Sequence, residues 1–197
     1  MVADLEAGEA APAVQVRVVR NGDGVTVCSV FPGEKQCRPV GESGPGARVD
    51  FVVRVPEGVH FSGNTVNGGV EADSLKSNVL ASTVNGQVRV STTGTIRAKT
   101  VNGSIHASFL TSSLTSLPTP SLAEAPELST VNGGIRVVLP PLVKAALHAA
   151  TRNGRILNDF EARGKVTDQE VIGEIGGGGH RLILNTINGT IELRRGV

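Results

Sequence analysis

Apolar side chains in this chain recur with a period of two in short runs, and six of the runs meet at an Asn-Gly pair. Six segments align without gaps: Thr65-Val66-Asn67-Gly68-Gly69-Val70, Thr83-Val84-Asn85-Gly86-Gln87-Val88, Thr100-Val101-Asn102-Gly103-Ser104-Ile105, Thr130-Val131-Asn132-Gly133-Gly134-Ile135, Thr151-Arg152-Asn153-Gly154-Arg155-Ile156 and Thr186-Ile187-Asn188-Gly189-Thr190-Ile191. Thr, Asn, Gly and a β-branched aliphatic keep fixed offsets in all six; the residue after Thr is Val or Ile except at Arg152. Asn-Gly accepts positive φ at both positions, which predicts a tight corner. The aliphatics on either side favour extended backbone and are expected to point inward, leaving Arg152 to mark one irregular turn. Ala72, Val90, Ala107, Val137 and Leu193 continue the inward series, and Asn158 breaks it. Glu71, Arg89, His106, Arg136 and Glu192 occupy the outward parity.

Spacing selects an architecture. Asn67 and Asn85 are 18 residues apart, Asn85 and Asn102 are 17 apart, and a Gly-centred unit, Thr93-Gly94-Thr95-Ile96-Arg97-Ala98, lies midway between the latter two. One repeat therefore holds two short strands and two corners. This predicts an all-β fold, a single-stranded β-helix or β-solenoid of 17–18 residues per coil with two short strands in each, wound right-handed. Stacked coils set every position on its own copy in the next coil, so Thr and Asn can form ladders. Independent hairpins in a β-sandwich or meander, the competing architecture, do not require the same letters at the same offsets.

Later Asn-to-Asn intervals lengthen to 30, 21 and 35 residues. Residues 110–129 are rich in Ser, Thr and Pro and read as an inserted loop with a short helical turn near Ala123. Leu139-Pro140-Pro141 ends a strand. For 142–151 propensity favours a helix and position between repeats favours a strand; the strand reading is preferred. Ahead of the repeats, 13–20 and 25–31 flank Asn21-Gly22-Asp23-Gly24 as a hairpin, and 48–55 alternates with Val49, Phe51, Val53 and Val55 on one face. Residues 1–60 are thus expected to form a small antiparallel sheet that caps or leads into the repeats of 61–197. Arg194 and Arg195 place charge beside the last strand, a device that protects sheet edges.

Composition narrows the function classes. With 19 basic and 18 acidic residues, five Phe and no Trp or Tyr, the chain lacks the charge excess and stacking rings that nucleic-acid binding uses. It has no apolar run long enough to span a bilayer, and Met1–Glu6 lacks the basic and apolar regions of a signal peptide. A cytosolic protein and a mature portion of an exported one both fit. Cys28 and Cys37 can close a disulfide if their segments pair; two free thiols are the alternative.

Candidate chemistry is sparse. His60, His106, His148 and His180 have no zinc spacing, the repeats hold no acid in a calcium-binding frame, and no cofactor is expected. Gly176–Gly179 and Gly44-Pro45-Gly46 lack the residues of a phosphate loop and read as bends. No nucleophile elbow occurs, and the outward series Glu71, Arg89, His106, Arg136 contains no paired carboxylates of the kind glycoside cleavage uses. The chain is therefore expected not to be an enzyme. The densest basic region is Arg152, Arg155, Arg163 and Lys165, with solvation as its ordinary role.

These motifs resemble a known family. Thr-Val-Asn-Gly repeats preceded by RVDFVVRVPEGVHF (48–61) and followed by GEIGGGGHRLILNTINGTIELRR (173–195) are similar to the bacterial putative-adhesin family catalogued as domain of unknown function 4097. VTVCSVFPG (25–33), with Cys37 after it, resembles that family's N-terminal segment. The resemblance implies a β-helix-like fold, an exported cell-envelope protein and no catalytic residues; it departs from the family at its start, where an export signal is missing. The expected function is a structural or adhesion module presenting its outward face and loop 110–129 to a protein or glycan. A carbohydrate-active β-helix enzyme and an envelope-stress sensor are the alternatives.

Overall fold

The computed structural model describes residues 3–7, 14–22, 24–31, 33, 37, 49–110 and 125–196, and every element among them is a β-strand. The chain divides into two compact units, Met1–Pro56 and Glu57–Val197. In the first, β2 (Gln15–Asn21) and β3 (Gly24–Val30) pair as an antiparallel hairpin. A separate antiparallel pair joins β1 (Ala3–Ala7) to β4 (Val49–Val53). Alternation in 48–55 identifies β4, whereas β1 has little strand propensity and owes its conformation to pairing. Cys28 and Cys37 are joined in a disulfide, with Cα atoms 5.8 Å apart. The Gly44–Gly46 bend, most of loop 110–129 and the turn near Ala123 lie outside the described residues.

The second unit repeats strand, Asn-Gly corner, strand. Its first four rungs follow chain order: β5 (Phe61–Asn64) with β6 (Val70–Leu75), β7 (Val79–Ser82) with β8 (Val88–Thr92), β9 (Ile96–Lys99) with β10 (Ile105–Phe109), and β11 (Glu127–Ser129) with β12 (Ile135–Leu139). Leading strands pair in parallel within one sheet and trailing strands in parallel within another. β11 converts the end of the expected 110–129 loop into a strand. Its inward Leu128 stands two residues before Thr130, as Ala81 and Ala98 stand before Thr83 and Thr100, a match that the Ser/Thr/Pro-rich surroundings hide.

Beyond the fourth rung, chain order and spatial order part. β13 (Ala145–Asn153) and β14 (Ile156–Asn158) carry the Thr151 corner, followed by the antiparallel hairpin β15 (Ala162–Val166) and β16 (Glu170–Ile175). The chain then returns as β17 (His180–Asn188) and β18 (Ile191–Arg195). β17 lies between β11 and β13, and β18 lies between β12 and β14. In register, Ile135 meets Ile191 and Ile191 meets Ile156. The last repeat in sequence is thus the fifth rung in space, and the Thr151 repeat is the sixth. Residues 145–153 are a strand because both edges are paired, by β17 in parallel and β16 antiparallel. That pairing outweighs the helix propensity of the Ala-rich segment.

One correction follows from the inserted rung. Arg194 and Arg195 belong to an interior strand and guard no edge: Arg194 pairs with Asp159 at 3.2 Å, and Arg195 donates to the Asp159 carbonyl and lies over the Phe160 ring. Edge strand β15 carries the charge instead, through Arg163 and Lys165. Gly176–Gly179 is the bend that makes the insertion possible. Ala145 pairs with Ile175 on one side and His180 on the other, so the glycine run crosses the start of β13. A Cβ on Gly176 would lie 2.4 Å from the Val143 oxygen, and one on Gly179 would lie 2.5 Å from the Lys144 oxygen.

The core fills the space between the two sheets. Ile96, Ile105, Leu128, Ile135, Leu182, Leu184, Ile191 and Leu193 are fully buried. Each such side chain contributes about 1.5–3 kcal/mol on leaving water. Replacing Ile135 by Asp puts a carboxylate between Ile105 and Ile191 with no partner. The expected result is loss of the cooperative thermal transition by circular dichroism; a variant that melts like the parent would contradict the inward assignment.

Candidate interaction surface

The six corners stand in one column. Asn67 bridges Asn85, Asn85 bridges Asn102, Asn102 bridges Asn132 and Asn132 bridges Asn188, while Asn153 pairs with Asn188. Their side chains form a continuous amide ladder: each Nδ2 donates to the Oδ1 one rung below, at 2.7–2.8 Å through all five steps. Beside it the threonines turn inward. Thr83, Thr100, Thr130, Thr186 and Thr151 are buried, and each hydroxyl donates to the carbonyl of the corner glycine one rung below: Gly68, Gly86, Gly103, Gly133 and Gly189, respectively. A buried hydroxyl without a partner costs about 1–3 kcal/mol, so this position takes Thr in every repeat.

The corner glycines are required for space. Asn adopts no positive φ at any corner, and among the corner glycines only Gly68 and Gly133 do. A Cβ on Gly86, Gly103, Gly133, Gly189 or Gly154 would fall 1.9–2.1 Å from the carbonyl oxygen of the glycine below. The expected left-handed Asn-Gly turn is therefore replaced by an extended corner in which one glycine sits against the carbonyl of another. Gly103→Ala is expected to destabilise the fold by about 3 kcal/mol or more in urea unfolding, because its Cβ meets backbone that cannot rotate away. An effect below about 1 kcal/mol would show that the corners do not stack this closely.

Strand alternation after an inward Thr sends the next side chain outward. Val84, Val101 and Ile187 are 37–42 % exposed, and Val66 and Val131 are half-buried. This corrects the expected inward direction of that aliphatic. It also removes the anomaly of Arg152, which stands in the same exposed row and disturbs no core. An apolar row thus runs beside the Asn ladder.

A second row lies on the trailing-strand sheet, where Glu71, Arg89, His106, Arg136 and Glu192 are register partners. Arg136 pairs with Glu192 at 2.9 Å. On the other sheet Lys99 pairs with Glu127 at 3.2 Å. Exposed pairs of this kind contribute about 0–1 kcal/mol each. Partial burial, then the guanidinium groups of Arg89 and Arg136, hold His106 below the ordinary imidazole value, with Glu192 opposing them. A base depressed by folding is favoured in its neutral form, so its stabilising effect is complete above the unfolded imidazole pKa and is lost as pH falls from there through the lower folded value. Between about pH 8 and pH 5 the melting temperature of the parent is expected to fall further than that of His106→Gln; parallel profiles would rule this out.

The basic region is interleaved with acids. Arg163 stands opposite Glu174, Lys165 pairs with Glu170, and Arg152 and Arg155 are exposed, Arg155 lining a groove with Asp168. An open groove of about 660 Å³ lies between the turn at Thr167–Gln169 and the stretch Gly154–Leu157. Among the described residues no cluster of three or more His, Cys, Asp or Glu could hold a metal ion, and no helix is long and apolar enough to cross a membrane.

No family model matches this chain, and no curated protein matches it. Its fold is similar to the crystal structure of a putative cell adhesion protein from Clostridium sporogenes: TM-score 0.51, 10 % identity, covering 98 % of this chain and 82 % of that one. Likeness at this identity bears on fold alone. The architecture itself is all-β, with parallel-rich sheets and small antiparallel ones.

Proposed function

We propose that this chain is a non-catalytic adhesion-type β-solenoid of the bacterial cell envelope, wound right-handed as parallel crossovers are. The observation that carries the reading is the corner column: six rungs locked by one ladder hold outward side chains in straight rows. Extended surfaces of this kind suit recognition of a glycan or protein over several rungs. The disulfide supports an oxidising compartment, and the name of the structural neighbour agrees with a surface role.

Two measurements test the reading together. Purified protein is applied to immobilised surface glycans and extracellular proteins, alongside a variant combining Arg89→Glu with Arg136→Glu. Retention that the variant loses by about tenfold or more, with unchanged melting, is the expected result. The same sample is incubated with a polysaccharide panel. Turnover there, or free Cys28 and Cys37 thiols in material from the native cell, would overturn the proposal.

A further inference from the structure

Asn followed by Gly is the pair in which a side chain reacts most readily with its own backbone, because glycine has no Cβ to obstruct the approach. The glycine nitrogen attacks the Asn Cγ and closes a five-membered succinimide. The amide nitrogen leaves as ammonia, taking the proton that the glycine nitrogen gives up. Water then opens the ring at one carbonyl to give aspartate, or at the other to give isoaspartate, which carries an extra carbon in the main chain. This chain holds seven Asn-Gly pairs, six of them in the column.

At the five lower corners the column ties the reacting groups. Gly68, Gly86, Gly103, Gly133 and Gly189 each donate their N–H to the carbonyl of the Asn one rung above, at 2.9–3.0 Å. The Asn side chains beside them are fixed as well, each Oδ1 accepting the Nδ2 of the rung above. A bonded N–H must be freed, and a laddered amide turned out of line, before the two atoms can meet.

The sixth corner lacks both restraints. Among the described residues Gly154 N–H has no acceptor and Asn153 Oδ1 has no donor, although Asn153 keeps its downward bonds to Asn188 and Gly189. Support from above comes only to either side, from the tip of the β15–β16 hairpin. Thr151 N–H donates to the Gln169 carbonyl at 2.9 Å, and Ile156 N–H donates to the Asp168 carbonyl at 2.7 Å. The Gln169 side chain donates to the Arg152 carbonyl at 3.1 Å. Residues 153–155 span the gap between these anchors, exposed and beside the open groove that Gly154 and Arg155 line. Charge sets this corner apart too. Arg152 and Arg155 stand where the other five repeats carry Val or Ile and an uncharged residue. Flanking guanidinium groups favour the anionic nitrogen and the oxyanion that forms on Cγ, with Asp168 in the same groove opposing them.

We propose that Asn153 is a site of spontaneous modification, converting with Gly154 through a succinimide to aspartate and isoaspartate while the five corners beneath it stay intact. Either product loses the Nδ2 donor to Asn188. Isoaspartate also displaces the carbonyl that holds Gly189 N–H, so Asn188 is the next corner to become reactive, and conversion proceeds down the stack in spatial order.

The full chain is aged in mildly alkaline buffer below its melting temperature, and the mass gain of amide-to-acid conversion is followed at each Asn by peptide mapping. Asn153 is expected to convert about tenfold or more faster than any of the other five corners. Asn21-Gly22, in the β2–β3 turn, is scored apart because it lies outside the column. In guanidinium chloride, which removes the column and screens the flanking charges, the six corners are expected to convert at similar rates. In an Asn153→Gln chain, whose residue 153 carbonyl still holds Gly189, Asn188 is expected to stay amidated. Equal rates at the six corners of the folded chain, a preference for Asn153 that persists after unfolding, or conversion of Asn188 ahead of Asn153 would each overturn the proposal. So would conversion of Asn188 in the Asn153→Gln chain as fast as that of Asn153 in the parent.

Discussion

The carbonyl oxygen of each corner glycine is where this structure is held. From the first rung to the fifth it accepts the Thr hydroxyl of the rung above and lies against the Cα of that rung's glycine, at a separation that excludes any side chain. The contact sets the rung spacing at the corner, and the remaining repeated letters follow from it. Thr must face inward to reach the carbonyl, so the next residue faces out and the Asn amides align on the surface. Two residues beyond the corner glycine, an aliphatic enters the core. A motif that reads as a turn signal is better understood as a stacking signal.

This distinction explains what was legible in the sequence. Equal offsets of Thr, Asn, Gly and the β-branched residue locate the corners, and the period of two after them identifies the buried positions from Val70 to Leu193. The direction of Val84, Val101 and Ile187 was hidden, because a β-branched residue suits extended backbone on either face of a sheet. Thr gives no better indication, since its burial depends on an acceptor in another rung.

Rung order was hidden for a related reason. Every rung presents the same corner to its neighbours above and below, so sequence alone permits the Thr186 repeat to follow the Thr151 repeat in space. The choice is made by the β15–β16 hairpin, which occupies the far edge of β13, and by the glycine run that crosses its start. Neither resembles a repeat. The same hairpin supplies both the charged edge strand and the substitute bonds above the sixth corner, so one non-repeating element redirects the chain and ends the stack.

Rung order is therefore the sharpest test of the account. Cysteines are placed at two outward corner positions while Cys28 and Cys37 remain as they are. Val131 and Ile187 lie on adjacent rungs, about 5 Å apart at Cα, whereas Val131 and Arg152 lie two rungs apart at about 10 Å. Non-reducing peptide mapping after mild oxidation is expected to find an internal disulfide in the Val131→Cys, Ile187→Cys chain and none in the Val131→Cys, Arg152→Cys chain. The reverse outcome would mean that the corners stack in sequence order and that the inserted fifth rung does not exist.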